Sequence, residues 1–183
     1  MSRCNMAAAA ILVMTTASAG AAPLQVWKFD NLQKIGGVVP RVEGHPTIVD
    51  SPVGKAVRFN GRDDALFFPD RPLVGAKTFT IEAIIHPEGG QFQQRWMHIA
   101  ETDPKTGLDA NPSGTSDPNP RFMFELRAIS YEWYLDAFVN SKSGSKALAL
   151  PDKTHPLGPW YAVAQTYDGK TYRSYVNGVL QGE

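Results

Sequence analysis

The sequence predicts an all-β protein, built as a two-sheet antiparallel jelly-roll sandwich. Three observations carry that reading. Sixteen glycines and 14 prolines punctuate the 183 residues, a frequency that suits strands joined by turns and not long helices. No apolar pattern of helical period is sustained beyond residue 22. Short runs of alternating apolar and polar residues recur instead, each bounded by Gly, Pro, Asn or Ser, and they add up to about ten to twelve strands.

Taken in order, residues 1–22 (MSRCNMAAAAILVMTTASAGAA) read as a cleavable export signal. Arg3 supplies the positive end, Ala7 to Met14 the apolar stretch, and Ala17-Ser18-Ala19 or Ala19-Gly20-Ala21 the small-x-small cleavage site. The apolar stretch is too short for a spanning helix, which needs roughly 20 residues. Cys4 is the only cysteine and precedes that stretch, so it does not suit a lipid anchor. The mature chain would be one domain, residues 23–183, secreted or periplasmic, with no disulfide and no cysteine metal site. No later segment is apolar enough to span a bilayer. Eighteen basic and 18 acidic residues cancel, and no basic stripe appears, so nucleic acid is not an expected partner.

Leu24–Asp30 (LQVWKFD) alternates as a first strand. Lys55–Asn60 runs into a turn at Gly61-Arg62-Asp63-Asp64, with Ala65–Phe68 as its hairpin partner. In Thr78–His86, Phe79, Ile81, Ala83 and Ile85 face one way and Thr80, Glu82 and Ile84 the other, and the apolar residues on both faces predict a central strand. Arg95–Glu101, Arg121–Arg127 and Trp133–Asn140 are further strands. Trp160–Tyr167 and Thr171–Val176 flank Asp168-Gly169, and Asn177-Gly178 follows, so two hairpins sharing a middle strand form a meander. Residues 102–120, with four prolines, make a long loop of the kind that serves a function or moves.

Sugar sites pair an aromatic face with planar polar groups. Trp96, Tyr131 and Trp133 are the candidate ligand contacts, with Tyr134 and Trp160 behind them. Trp133 and Tyr134 adjoin on one strand, so they point to opposite faces and at least one is core. Tyr131, in a turn-like stretch, is the best exposed. His45, His86, His98 and His155 are scattered without metal-ligand spacing. There is no nucleophile elbow, phosphate loop or dinucleotide fingerprint.

Gly54-x-Ala56-Val57-Arg58-Phe59-Asn60-Gly61, then Asp63-Asp64-x-Leu66, then Phe79-Thr80-Ile81-Glu82-Ala83 resembles the laminin G-like members of the concanavalin A-like lectin/glucanase superfamily. Trp160-Tyr161-x-Val163-Ala164-x-Thr166-Tyr167-Asp168-Gly169 and Tyr175-Val176-Asn177-Gly178 are similar to the family's second signature, in the expected order. The resemblance implies the sandwich. It also implies that further closing strands follow the Asn-Gly hairpin, so the last strands are expected to be missing at Glu183; a chain ending there would expose sheet edges and be prone to aggregate. It further implies a possible structural calcium site, with Asp30, Asp63 and Asp64 as ligands; turn chemistry is the other reading of those residues.

The superfamily also contains polysaccharide lyases and glycoside hydrolases. Hydrolases of this shape need two carboxylates on one strand face, usually within a Glu-x-Asp-x-x-Glu pattern, which is absent. Phe124-Glu125-Leu126-Arg127 is similar to a strand of alginate lyases, but their companion motifs are missing. The expectation is a secreted, non-catalytic module that binds glycans or glycosylated cell-surface partners with loops at one rim of the sandwich. A protein–protein sandwich without a sugar site, or a polysaccharide-cleaving enzyme, are the alternatives. Two carboxylates converging on a concave sheet face would favour the enzyme.

Overall fold

A computed structural model describes residues 24–183 apart from 71, 102, 104, 107–119 and 142. The expected export signal and most of the 102–120 loop therefore lie outside the described residues. No helix of the described residues is long and apolar enough to cross a membrane. Thirteen strands run in chain order: β1 (Arg41–Glu43), β2 (Thr47–Ser51), β3 (Gly54–Arg58), β4 (Ala65–Phe67), β5 (Phe79–Ile85), β6 (Gln93–Ala100), β7 (Arg121–Ile129), β8 (Glu132–Ser141), β9 (Gly144–Ala147), β10 (His155–Pro156), β11 (Tyr161–Tyr167), β12 (Tyr172–Val176) and β13 (Val179–Gly182).

Two main sheets stack face to face. One has the order β10-β8-β7-β6, with β9 also paired to β8; the other runs β13-β12-β11-β5. All the pairings in both are antiparallel. Period-2 alternation turns one side of each strand inward. From the first sheet come Leu126, Trp133 and Leu135; from the second come Tyr161, Val163 and Val176, and together they form one buried cluster. The Trp133 and Tyr161 rings meet edge to face across the layer at 5.0 Å. Toward the other end, Phe79 of β5 lies 5.6 Å from Phe122 of β7. Such aromatic contacts add about 0.5–1.5 kcal/mol each beyond the area they bury.

The expected meander is present: β12 pairs with β11 on one side and β13 on the other. Its second turn needs positive φ at both central residues, and Asn177 (49°) and Gly178 (77°) provide it. Phe79, Ile81, Ala83 and Ile85 share the inward side as expected, opposite Tyr167, Gln165, Val163 and Tyr161.

Four expectations need correction. Among the described residues β5 pairs only with β11 and is an edge strand, not a central one, and its outward Ile84 is 51% exposed. Leu24–Asp30 forms no strand. Its alternation is real but no neighbouring strand offers it a ladder; it packs instead through Trp27, whose ring meets Phe68 edge-on at 4.7 Å. The predicted hairpin of β3 with β4 does not form, because β3 pairs with β2 and β4 with β1. The loop between them explains this. Asn60 Oδ1 accepts the N–H groups of Arg62, Asp63 and Asp64, which coils the chain too tightly for a hairpin. Asp64 Oδ1 then accepts from His45 N at 2.7 Å, drawing β4 toward β1. The count of strands was also low, since β1, β9, β10 and β13 have four residues or fewer and show no clear alternation.

Candidate functional site

The outward side of the five-stranded sheet holds the site. Along β7 the inward residues are Phe122, Phe124, Leu126 and Ala128. The outward ones are Arg121, Met123, Glu125, Arg127 and Ile129. The register lines these up with their neighbours in rows. Arg95, Glu125 and Asp136 form one row across β6, β7 and β8. Gln93, Arg127 and Tyr134 form the next, and Met123, Phe138 and Ala147 lie on the other side.

The middle row is ionic. Arg127 Nε donates to Asp136 Oδ2 at 2.7 Å, and its Nη2 lies 2.5 Å from the same oxygen. The same Nη2 donates to Glu125 Oε2 at 3.2 Å. Arg95 Nε donates to Glu125 Oε1 at 3.1 Å. Glu125 is 1% and Asp136 4% exposed, so these carboxylates are effectively out of water on the side of the sheet that faces away from the core. Burying a carboxylate requires a paired cation and hydrogen bonds. One guanidinium serving two carboxylates, backed by a second, supplies both. The Arg127 guanidinium also lies over the Phe92 ring at 5.3 Å, which caps it. The Asp136 charge reaches through the sheet: burial, and then the field of Asp136, push the Tyr172 phenol above its usual pKa.

Around this row is a pocket of about 240 Å³, lined by Gln93, Arg95, Met123, Glu125, Arg127, Asp136, Phe138 and Ala147. Two polar atoms at its wall are left over. Arg127 Nη1 and Asp136 Oδ1 are buried and have no hydrogen-bond partner among the described residues. A buried donor and a buried acceptor are thus left for partners other than the described side chains.

A laminin G-like family profile of the concanavalin A-like lectin/glucanase superfamily matches residues 60–183, well over half of the chain. The chain belongs to this family. No curated protein and no solved structure matches the chain. The matched part of this concanavalin A-like domain contains both main sheets and every residue of the ionic row.

The ligand contacts expected from sequence fall in different places. Tyr131 is 86% exposed in the β7–β8 turn, where its carbonyl accepts Leu157 N–H at 2.9 Å. Trp133 is fully buried between Tyr161 and His155, so it is a core residue and not a ligand contact. Its neighbour Tyr134, 7% exposed, is buried on the outward side. Trp96 sits at a bulge between Arg95 and Met97 that turns its ring inward, 5.3 Å from Phe124 and against the core cluster. Unlike Trp133 it is only partly buried. Trp160 stacks on His86 at 4.9 Å.

Asp30, Asp63 and Asp64 are each engaged by protein hydrogen bonds. Among the described residues no three His, Cys, Asp or Glu side chains gather to hold an ion. Asp64 gives its two oxygens to the N–H groups of His45 and Asn60, Asp63 Oδ1 accepts from Asn60 Nδ2, and Asp30 Oδ1 from Asn31 Nδ2. All but the His45 bond are local turn bonds.

Arg95, Glu125, Arg127 and Asp136 were missed as a site. The signal was ambiguous: charged residues at alternate positions also mark any strand with one face in water, where they need no partner.

Proposed function

We propose that this concanavalin A-like domain is an exported, non-catalytic module that binds glycans on the outward side of its five-stranded sheet. The observation that carries the reading is the unsatisfied pair, Arg127 Nη1 and Asp136 Oδ1, at the wall of a pocket flanked by Met123 and Phe138. A sugar hydroxyl both accepts and donates, so one hydroxyl or an adjacent two would satisfy that pair. The apolar C–H face of a sugar ring suits the Met123 and Phe138 side chains, much as aromatic and aliphatic surfaces line small-molecule pockets elsewhere. Phe92 (53% exposed) and Tyr131 stand at the same end of the sheet and extend an aromatic surface beyond the pocket. Binding moves in this reading from the loop rim to the sheet face, with Tyr131 as a peripheral contact.

The test is a glycan array probed with the full chain, followed by titration of the best ligand against Phe92→Ala and Phe138→Ala variants. Several-fold weaker binding by both variants, with the array signal competed by free sugar, is the expected result. No binding to any saccharide, or a partner protein captured without competition by sugars, would overturn it.

One observation favours a second reading. Glu125 and Asp136 are directly opposed on adjacent strands, and a carboxylate pair is what glycoside hydrolysis uses. Arg127 engages both, which leaves neither free to carry a proton to a leaving group. Release of reducing ends from a polysaccharide, abolished by Glu125→Gln, would make this reading the correct one.

A further inference from the structure

We infer that His86 is a proton-operated clasp for the loops at one rim of the sandwich, and that it closes more tightly when its imidazole is charged. This goes beyond the binding proposal and does not depend on what the outward pocket takes.

Three chain segments meet at this rim: 86–92 between β5 and β6, the β7–β8 turn at Ser130-Tyr131, and 157–160 before β11. Backbone bonds cross between them. Gly158 N donates to Pro87 O at 2.9 Å, and Leu157 N to Tyr131 O at 2.9 Å. The first and third segments pack so closely that a Cβ on Gly89 would lie 3.2 Å from Leu157 Cδ1. His86 opens the first segment and engages the third. Its ring stacks on that of Trp160 at 4.9 Å, with 17° between the planes. Its Nε2 meets the Gly158 carbonyl oxygen. Its Nδ1 faces the Glu88 carboxylate, with Oε1 3.8 Å away. The other Glu88 oxygen accepts from Arg58 Nε of β3 at 2.8 Å.

Both ring nitrogens therefore face acceptors. A neutral imidazole has one N–H, so it can serve the Gly158 carbonyl only by turning the Nδ1 lone pair on a carboxylate. The imidazolium donates from both nitrogens. Its charge then faces Glu88 and lies against the face of Trp160, and an indole face attracts a cation. Of the charged groups around the ring, Glu88 favours the proton. Arg58 opposes it from behind Glu88 and is itself held by that carboxylate. Residues 157–160 (LGPW) bring no charge. The His86 side chain is 29% exposed, so a proton reaches it without unfolding, and solvent keeps the gain modest. Histidine takes up its proton between about pH 5 and 8. The segments joined by the clasp carry Phe92 and Tyr131, both exposed, so acid would hold these two rings in a more fixed arrangement.

The experiment is amide hydrogen exchange of the full chain followed by NMR at about pH 5.5 and about pH 8, expressed as protection relative to the unfolded-chain rate at each pH. The Leu157 and Gly158 amides are expected to be about threefold better protected at the lower pH, a size that a partly exposed ion pair supports. The Val163 amide, deep in the second sheet, is expected not to share that change. His86→Gln cannot take up the proton and is expected to remove the pH dependence at Leu157 and Gly158. Glu88→Gln, which keeps the ring but removes the carboxylate, is expected to reduce it. Equal protection at both pH values in the parent overturns the inference, and so does a pH dependence kept in full by His86→Gln. If His86→Gln does not fold, Glu88→Gln decides: an undiminished pH dependence in that variant overturns the clasp.

Discussion

Glu125 of β7 and Asp136 of β8 face each other directly across the strand pair, and Arg127 bonds both. Like charges directly opposite on a sheet are destabilising. The pair is therefore tolerable only while the guanidinium is in place. The row links three strands, so it ties β6, β7 and β8 into one register.

Replacing Arg127 by Met should be costly for this reason. It leaves two buried carboxylates facing each other with only Arg95 near one of them. Loss of one partner from a buried ion pair typically costs about 3–5 kcal/mol. A triple variant, Arg127→Met with Glu125→Gln and Asp136→Asn, removes the charges and should recover most of that loss. Urea denaturation of the three proteins checks both statements. If Arg127→Met alone melts like the parent, the row is not the buried network described here.

Trp133 and Tyr131 were candidates for the same role from sequence and should behave oppositely. Trp133→Ala removes a fully buried ring that touches Tyr161 and His155, and should cost about 3–5 kcal/mol. Tyr131→Ala removes a ring that stands in water and should change stability by no more than about 0.5 kcal/mol. Any effect of Tyr131→Ala belongs in ligand affinity. A Trp133→Ala protein with parental stability would put that residue back on the surface.

Gly44 and Asp64 should be coupled. Gly44 has φ +69°, and a Cβ there would overlap Asp64 Oδ1 and come within 2.8 Å of the Asp63 carbonyl oxygen. Gly44→Ala should therefore destabilise by about 1–3 kcal/mol through strain and displacement of the Asp64 carboxylate. Asp64→Ala loses the bonds to His45 and Asn60 and should cost a similar amount. Because the first change already disturbs what the second removes, the double variant should cost less than the two together. Millimolar calcium should leave the melting temperature of the parent unchanged; a rise would restore Asp63 and Asp64 as ion ligands.

What the sequence disclosed, and what it withheld, follows from range. The β11–β12–β13 meander was legible because Asp168-Gly169 and Asn177-Gly178 act within a few residues. The inward set Phe79, Ile81, Ala83 and Ile85 was legible because alternation is local. The partners of β3 and β4 were not, because Asp64 reaches back to His45 and no periodicity records that bond. The edge position of β5 was not, since two apolar faces look the same in an edge strand and a central one. The site was half legible. Glu125 and Arg127 share a side of one strand by spacing alone. Asp136 joins them through the β7–β8 hairpin, and Arg95 through a register set by the bulge before Met97, which only the folded sheet reveals.

The β11–β12 turn should make the fold sensitive to acid. Asp168 Oδ1 accepts the N–H groups of Thr171 at 2.8 Å and Lys170 at 2.9 Å, and Oδ2 accepts from Arg173 Nη1 at 2.7 Å. The Thr171 amide, then the Arg173 guanidinium and the Lys170 amide, hold the carboxyl well below its ordinary value of 3.8. The folded state thus favours the ionised form more than the unfolded state does. Its contribution is present in full above 3.8 and is lost as the pH falls below that value and through the lower folded one. The carboxylate is open to solvent, so the Arg173 part is screened by salt while the amide bonds persist. Asp168→Asn keeps an oxygen for the turn and cannot ionise. It should lower the melting temperature by a few degrees at neutral pH, and the gap to the parent should close as the pH is taken well below 3.8. Asp168→Ala, which also loses the turn bonds, should be the less stable of the two variants at neutral pH. A gap between parent and Asp168→Asn that stays constant down to strong acid would show that this carboxylate is not what the turn protects.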